Sequence, residues 1–255
     1  MSEIVGAERD ALLLEILKRL EIAKPHADSE AWDRNWQNAL DDFRATGNIV
    51  PPFITQATVR KDGAFWRGVN ELDYVREVQN WLTERLALVQ YVYEFGCGTG
   101  FNLIPIAGKY AGKTCIGYDK SEASVLLSRE VGLASGTPIL TGVFDMLAPS
   151  GAMLPRAGVF TFGAMEQLGR FEPFIEWLIA QQPEKVIHVE PIPELLDENN
   201  LLDWLSLQFH KKRGYTVGLL PYLQSHPKIE VLHVERSHFG SLMLESYARI
   251  VWRPK

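Results

Sequence analysis

The segment YVYEFGCGTGFN, Tyr91 to Asn102, constrains this chain more than any other part of it. A β-branched and aromatic run passes straight into Gly96, Gly98 and Gly100, and a helical pattern follows at once. A backbone in this position must turn sharply, adopt positive φ and let a ligand approach the main chain at a helix N-terminus, and glycine permits all three. Strand, glycine turn and helix in direct succession open a βαβ unit, so a parallel sheet is expected to follow. The same residues would also make a tight turn that binds nothing.

After Val89 the alternation continues. The patterns predict strands at 91–95, 114–118, 139–141, 159–162 and 186–189, with helices around 102–110, 122–131, 173–181 and 199–212. Two further strand-like runs, 229–234 and 247–252, are separated only by residues 235–246. That connection is too short for a parallel crossover, so these two must pair antiparallel. The fold class expected is α/β, a Rossmann-like, mostly parallel seven-stranded sheet with an antiparallel C-terminal strand and a helical N-terminal extension.

The texture before Val89 is different. Residues 8–20 and 29–43 read as amphipathic helices, the second with Trp32, Trp36, Leu40 and Phe43 on one face. The stretch 48–70, with Pro51-Pro52, Gly63 and Gly68, reads as irregular, and 71–88 as a helix leading into the first strand. The chain thus divides into an extension with lid and lead-in helix (1–88) and a ligand-binding domain (89–255).

Composition narrows the partners. With 26 Lys and Arg against 32 Asp and Glu the net charge is −6, and no basic stripe exists, so nucleic acid is not an expected partner. No apolar run approaches the ~20 residues that span a bilayer, so no membrane association is expected and a cytoplasmic location is the default. The two cysteines, Cys97 and Cys115, suggest reduced thiols, and no metal site is expected.

An acid stands at the right distance from the glycines. Asp119, 19 residues after Gly100, ends the second strand, where a carboxylate can accept both ribose hydroxyls of a nucleoside. The spacing G-x-G-x-G, with Phe101 next, departs from the dinucleotide fingerprint. The run EFGCGTG resembles the first motif of the class I S-adenosylmethionine-dependent methyltransferases, and the similarity extends over residues 91–254. That resemblance implies S-adenosylmethionine as cofactor, with Glu94 near its methionine amino group. It also implies that Gly96, Cys97, Gly98, Gly100 and Asn102 carry the cofactor, and that Asp119 holds the ribose. Asp145, in TGVFDML, matches the acid that meets the adenine amino group, with Phe144 or Met146 on the adenine face. Asp145 also reads as a turn acid before Pro149, and Glu94 as a strand-end carboxylate, although a charge after Tyr91-Val92-Tyr93 calls for a partner. The two-strand ending likewise resembles that family. Residues from 190 to 254 are in addition similar to bacterial methyltransferases of glycan and small-metabolite pathways.

Methyl transfer is an in-line displacement, so a general base is needed only when the nucleophile carries a proton. Ligands of open parallel sheets bind beyond the carboxyl ends of the strands, which selects Glu166, Glu190 and His238 as catalytic candidates. Gln167 stands where many small-molecule members carry a histidine. Glu190 also reads as a cap or salt-bridge residue, His238 also as a surface histidine, and His188 as a hydrogen-bonded sheet residue. Residues 210–213, His-Lys-Lys-Arg, are expected at the opposite end of the sheet as helix-terminal cations. Arg60, Lys61, Trp66 and Arg67 suit a lid over an anionic or sugar-like acceptor. The function expected is methyl transfer to oxygen or nitrogen of a small molecule, a sugar or sugar nucleotide among the candidates. The alternatives are a protein or RNA methyltransferase and a non-catalytic nucleoside-binding module. FGAMEQ, in place of an Asn-Pro-Pro-Tyr-like run after the fourth strand, weighs against methylation of base or glutamine amino groups.

Overall fold

The apolar run before the glycines becomes the central strand of a seven-stranded sheet. The computed structural model describes all residues except 26–28, 52–53, 55–57 and 246, and the side chains of 29–32 are likewise outside it. The expectations for the Trp32 side chain and for Pro52 therefore lie outside the described residues. In chain order the elements are β1 (Ser2–Ile4), α1 (Gly6–Ile22), α2 (Ser29–Thr46), β2 (Thr58–Lys61), β3 (Ala64–Arg67), α3 (Glu71–Arg85) and β4 (Tyr91–Phe95). Then come α4 (Leu103–Lys109), β5 (Thr114–Asp119), α5 (Glu122–Ala134), β6 (Leu140–Val143), β7 (Ala157–Phe162), α6 (Glu172–Gln181) and β8 (Lys185–Pro191). The chain ends with α7 (Leu201–Arg213), α8 (Leu219–Ser225), β9 (Ile229–Arg236), β10 (Phe239–Gly240) and β11 (Tyr247–Pro254).

The large sheet runs β6-β5-β4-β7-β8-β11-β9. Strands β4 to β8 are parallel, and β11 is antiparallel to both β8 and β9. This is the expected Rossmann-like α/β fold, and all seven predicted strands are present. The two-residue period of β4 explains why both faces are covered. Tyr93 and Phe95 point into a core with Phe174, Ile175 and Leu178 of α6, while Val92 faces Val78 and Leu82 of α3 and Leu103 and Ile106 of α4. Each such side chain contributes roughly 1.5–3 kcal/mol by leaving water.

Two segments differ from the sequence reading. Residues 48–70 were expected to be irregular, yet they contain the hairpin β2–β3, turned at Asp62-Gly63 with φ of 51° and 75°. Two successive positive φ values are what a two-residue hairpin turn demands, and Asp-Gly supplies them. The hairpin joins β1 and β10 in a small antiparallel sheet, β1-β3-β2-β10. The short helix α8, interrupted in pattern by Pro221, was also not anticipated.

A buried ion pair locks the small sheet to the rest. Arg60 is fully buried; its Nε lies 3.6 Å from Glu245 Oε2, and its Nη1 donates to Ser206 Oγ at 2.9 Å and to the Met243 carbonyl at 3.2 Å. Burial lowers the guanidinium pKa to about 10, which leaves it charged at neutral pH. Glu245 in turn accepts from the Gly63 amide at 2.9 Å. Beside it, Arg236 donates to both carboxylate oxygens of Asp203, at 2.7 and 2.6 Å. Among the described residues no helix is long and apolar enough to cross a membrane.

Removing one member of a buried pair strands the other charge. Glu245→Ala should therefore cost about 3–5 kcal/mol in urea unfolding; an unchanged midpoint would contradict the strut.

Candidate functional site

The carboxyl ends of the parallel strands open on one edge, and the glycine loop after β4 forms its floor. The amides of Gly96 and Cys97 both donate to the Tyr118 carbonyl, at 2.8 and 3.0 Å. The Asp119 carboxylate accepts from the Gly98 amide and from the Ser121 amide, each at 3.0 Å. The loop is thus tied to the tip of β5 by its own backbone. Gly96 has φ 74° and a Cβ there would lie 2.3 Å from Ala164 Cβ, so no other residue fits. A Cβ on Gly98 would sit 2.7 Å from Cη2 of Trp36, whose ring lies over the loop. Gly100 differs from both, since its missing Cβ admits Ile139 and Ser128, so it packs α5 and does not line the cleft.

Two compartments flank the loop and share Trp36, Gly96, Gly163 and Gln167 as their common wall. The smaller, about 510 Å³, is lined by Asp119, Lys120, Ser121, Phe144, Asp145 and Met146. Burial raises the Asp119 carboxyl pKa despite its backbone donors. Asp145 accepts from the Leu147 amide at 2.8 Å and lies 3.1 Å from Lys120 Nζ, so it is a turn acid as well as a wall residue. The Phe144 ring stacks on Tyr118 with centroids 5.5 Å apart.

The larger compartment, about 640 Å³, lies over the start of α4 and reaches Glu71, Tyr74, Glu166, Phe209 and Tyr215. Cys97 and Asn102 line it, although the Cys97 thiol is directed to the space left by Gly117, 2.9 Å from where a Cβ would stand. Under the loop, Glu94 is fully buried. Its Oε1 accepts from Asn102 Nδ2 at 2.9 Å, and Asn102 is oriented by Gln79, which donates to its Oδ1 at 3.2 Å. Glu94 Oε2 has no protein partner, and burial pushes this carboxyl up to about 8.

The catalytic candidates separate. Glu166 sits in the short 3-10 turn Met165–Gln167, lines the larger compartment and has a buried Oε2 without a partner. Burial and the neighbouring Glu190 raise its pKa well above the ordinary value. Glu190 does not line either compartment: it accepts from the Ala164 amide at 3.1 Å and the Glu166 amide at 3.3 Å, so it shapes the turn that carries Glu166. Burial pushes it to about 7. His238 is exposed and outside both compartments, because its backbone is drawn onto the β2–β3 hairpin, where its carbonyl accepts from Asp62. His188 lies within the sheet, Nδ1 2.9 Å from Thr161 Oγ1, and burial lowers its pKa to about 3.

Two further expectations change. The C-terminus of α7 is not at the far end of the sheet: Thr216 donates to the Glu166 carbonyl at 2.8 Å, and Phe209 and Tyr215 line the larger compartment. Helix α7 lies across the binding edge, and α8 precedes the return strand instead. Nor do Arg60, Lys61, Trp66 and Arg67 line either compartment. Arg60 is the buried strut, Trp66 Nε1 donates to the Lys61 carbonyl, and Arg67 pairs with Glu8.

Sequence reasoning missed Trp36, read as a core aromatic, and Glu71. The signal for Glu71 was present. Asn70 and Asp73 form the reciprocal cap of α3, at 2.9 and 3.0 Å, which leaves Glu71 unneeded there. Its buried Oε1 has no partner, and burial raises the carboxyl to about 7. Among the described residues no cluster of His, Cys, Asp or Glu could hold a metal ion.

Comparison with protein-family models and with curated proteins finds no match. Solved structures do match. The [4+2]-cyclase SpnF superposes with a TM-score of 0.64 at 13% identity, covering 91% of this chain and 98% of that one. A protein from Pyrococcus horikoshii OT3 gives 0.55 at 16%, covering 84% and 99%. Magnesium protoporphyrin IX methyltransferase from Synechocystis PCC 6803, solved with bound SAH, gives 0.53 at 20%, covering 72% and 82%. The chain has the fold of the class I S-adenosylmethionine-dependent methyltransferases, a fold that hosts a cyclase as well.

Glu94 carries a testable cost. Its carboxyl stands at about 8 in the folded chain against an ordinary 4.5, so its contribution to stability is full below about 4.5 and is lost as pH rises through 8. Glu94→Gln should remove that dependence, so the ligand-free variant loses less thermal stability between pH 5 and pH 8 than the parent. Equal losses would show that Glu94 is not held at a raised pKa.

Proposed function

We propose that this chain binds S-adenosylmethionine and transfers its methyl group to a small-molecule acceptor. The observation that carries the reading is the Asp119 carboxylate, fixed by the Gly98 amide at the rim of the smaller compartment, with the unpartnered Glu94 Oε2 beneath the same loop. A buried carboxylate oxygen without a partner is costly, and an ammonium group is the ligand chemistry that relieves it. The smaller compartment falls within the usual range for small-molecule sites. In this reading Asp119 accepts the ribose hydroxyls, Asp145 and Met146 border the adenine, and Glu94 faces the methionine ammonium.

When bound, the cofactor supplies an electrophilic methyl group on a positively charged sulfur. The work left to the protein is placement. Trp36 covers the glycine loop and stands between the compartments, so it keeps water from the line of transfer. Glu190 holds the turn that presents Glu166. Glu166 lines the larger compartment, and its carboxylate, where a positive charge beside it favours ionisation, takes a proton from an acceptor atom. The acidic balance and the absence of a basic stripe support a small molecule over nucleic acid.

The reading is tested by tritiated methyl donor offered to fractionated metabolite pools, with label expected in an acid-soluble small molecule. Label only in protein or RNA would overturn the acceptor class. Asp119→Ala should weaken SAH binding about 10–100-fold, the worth of charged hydrogen bonds of roughly 1.5–3 kcal/mol. Unchanged affinity in calorimetry would remove Asp119 from the ribose role.

A further inference from the structure

The larger compartment has a one-sided chemistry. Glu166 and Glu71 each bring to it a buried carboxyl oxygen with no protein partner, and Glu166 is 6% exposed. Tyr74, Phe209, Tyr215 and Tyr247 supply aromatic wall. Among the described residues no lysine or arginine lines it, and the sequence has none at 26–32, 52–53, 55–57 or 246.

Three cations that act on its lining residues are committed elsewhere. Arg60 pairs with Glu245, and Arg249 pairs with Glu77 at 2.5 Å and packs over the Trp81 ring. Arg213, whose field reaches Glu166, lies over the Tyr215 ring and donates to the Lys24 carbonyl at 3.1 Å. A phosphorylated or carboxylated acceptor would find no lysine or arginine among the described lining residues to pair with it. A neutral polyol would bring donors but no charge. An amine brings N–H donors for the stranded oxygens and a positive charge that aromatic faces also attract.

Resting on the methyl-transfer reading above, we propose that the acceptor is a basic aliphatic amine on an apolar or aromatic body, seated in the larger compartment with its nitrogen facing Glu166, while Glu71 adds an acceptor oxygen to the same chamber. An ammonium beside Glu166 favours the ionised carboxyl, whose proton passes to solvent as the amine binds, and this carboxylate then takes one proton from the ammonium. The freed nitrogen lone pair then forms the new N–C bond while the methyl–sulfur bond breaks, its electron pair staying on sulfur. The products are a methylated ammonium, a neutral thioether and a protonated Glu166, which returns its proton to solvent. Burial and Glu190 favour the protonated form of Glu166 in the empty chamber, so it is an ammonium beside it that makes the carboxylate available as a base. Basic amines differ from the amino groups of bases and glutamine, whose lone pairs are delocalised.

The test uses four probes that share a ring and differ in head group: 2-phenylethylamine, 2-phenylethanol, phenylacetate and phenyl phosphate. Binding is measured by ligand-observed NMR on the full chain, alone and with SAH. The amine should bind at least ten-fold more tightly than the other three. Glu166→Gln and Glu71→Gln should each weaken it about ten-fold while SAH affinity stays unchanged. Equal or tighter binding of the alcohol or either anion, no amine binding, or indifference to both substitutions would overturn the proposal. The head-group ranking of the unmodified chain needs no variant to fold and no cofactor. Failure of SAH to bind would therefore strike the methyl-transfer reading separately.

Discussion

The bond from the Gly98 amide to the Asp119 carboxylate, 3.0 Å long and buried, is the contact on which the binding edge depends. It joins the loop after β4 to the tip of β5, the strand beside it. Gly98 can take this position only because it has no side chain, and the space above it is filled by Trp36 of α2. Together with the Gly96 and Cys97 amides on the Tyr118 carbonyl and the Ser121 amide on Asp119, this bond sets the loop, the carboxylate at the rim and the seat of the helix that covers both. Below the loop, Gln79 of α3 orients Asn102, and Asn102 orients Glu94. The N-terminal helices are thus built into the site and do more than shield it.

Two kinds of buried charge divide the molecule. Where the wall must hold, charges are paired: Arg60 with Glu245, and Arg236 with Asp203 through two bonds. Where the cleft opens, carboxyl oxygens of Glu71 and Glu166 are buried with no hydrogen-bond partner, as is one of Glu94, which lies beneath the glycine loop and lines neither compartment. Native structures seldom leave such groups unsatisfied, so their gathering at one sheet edge points to ligands that satisfy them. The arrangement costs folding stability at neutral pH and, in the function proposed here, is what favours a positively charged ligand.

The sheet was legible because its signals are local. A two-residue period, glycines at the strand exit and a short last connection each constrain topology within a few residues. The place of Asp119 in the smaller compartment follows from its position at the end of β5, whereas Asp145 and Met146 were expected there from the resemblance of the sequence to the methyltransferases. What was not legible depended on packing between distant segments. His238 stands on a loop expected at the cleft, but pairing of β10 with β2 turns it to solvent. Glu190 ends its strand at the right edge, yet its carboxylate is consumed by the amides of the turn that follows β7. The β2–β3 hairpin could have been read from Asp62-Gly63, whereas the placement of Arg60 inside the wall rested on Glu245, 185 positions away.

The claim that unifies these features is that the glycine loop, Asp119 and Glu94 form a preformed site for an adenosyl amino acid. Isothermal calorimetry of the unmodified chain with SAH, S-adenosylmethionine and NAD tests it most directly. The account predicts saturable one-to-one binding of both adenosyl ligands and none of NAD. Binding of NAD with no response to either adenosyl ligand would contradict it.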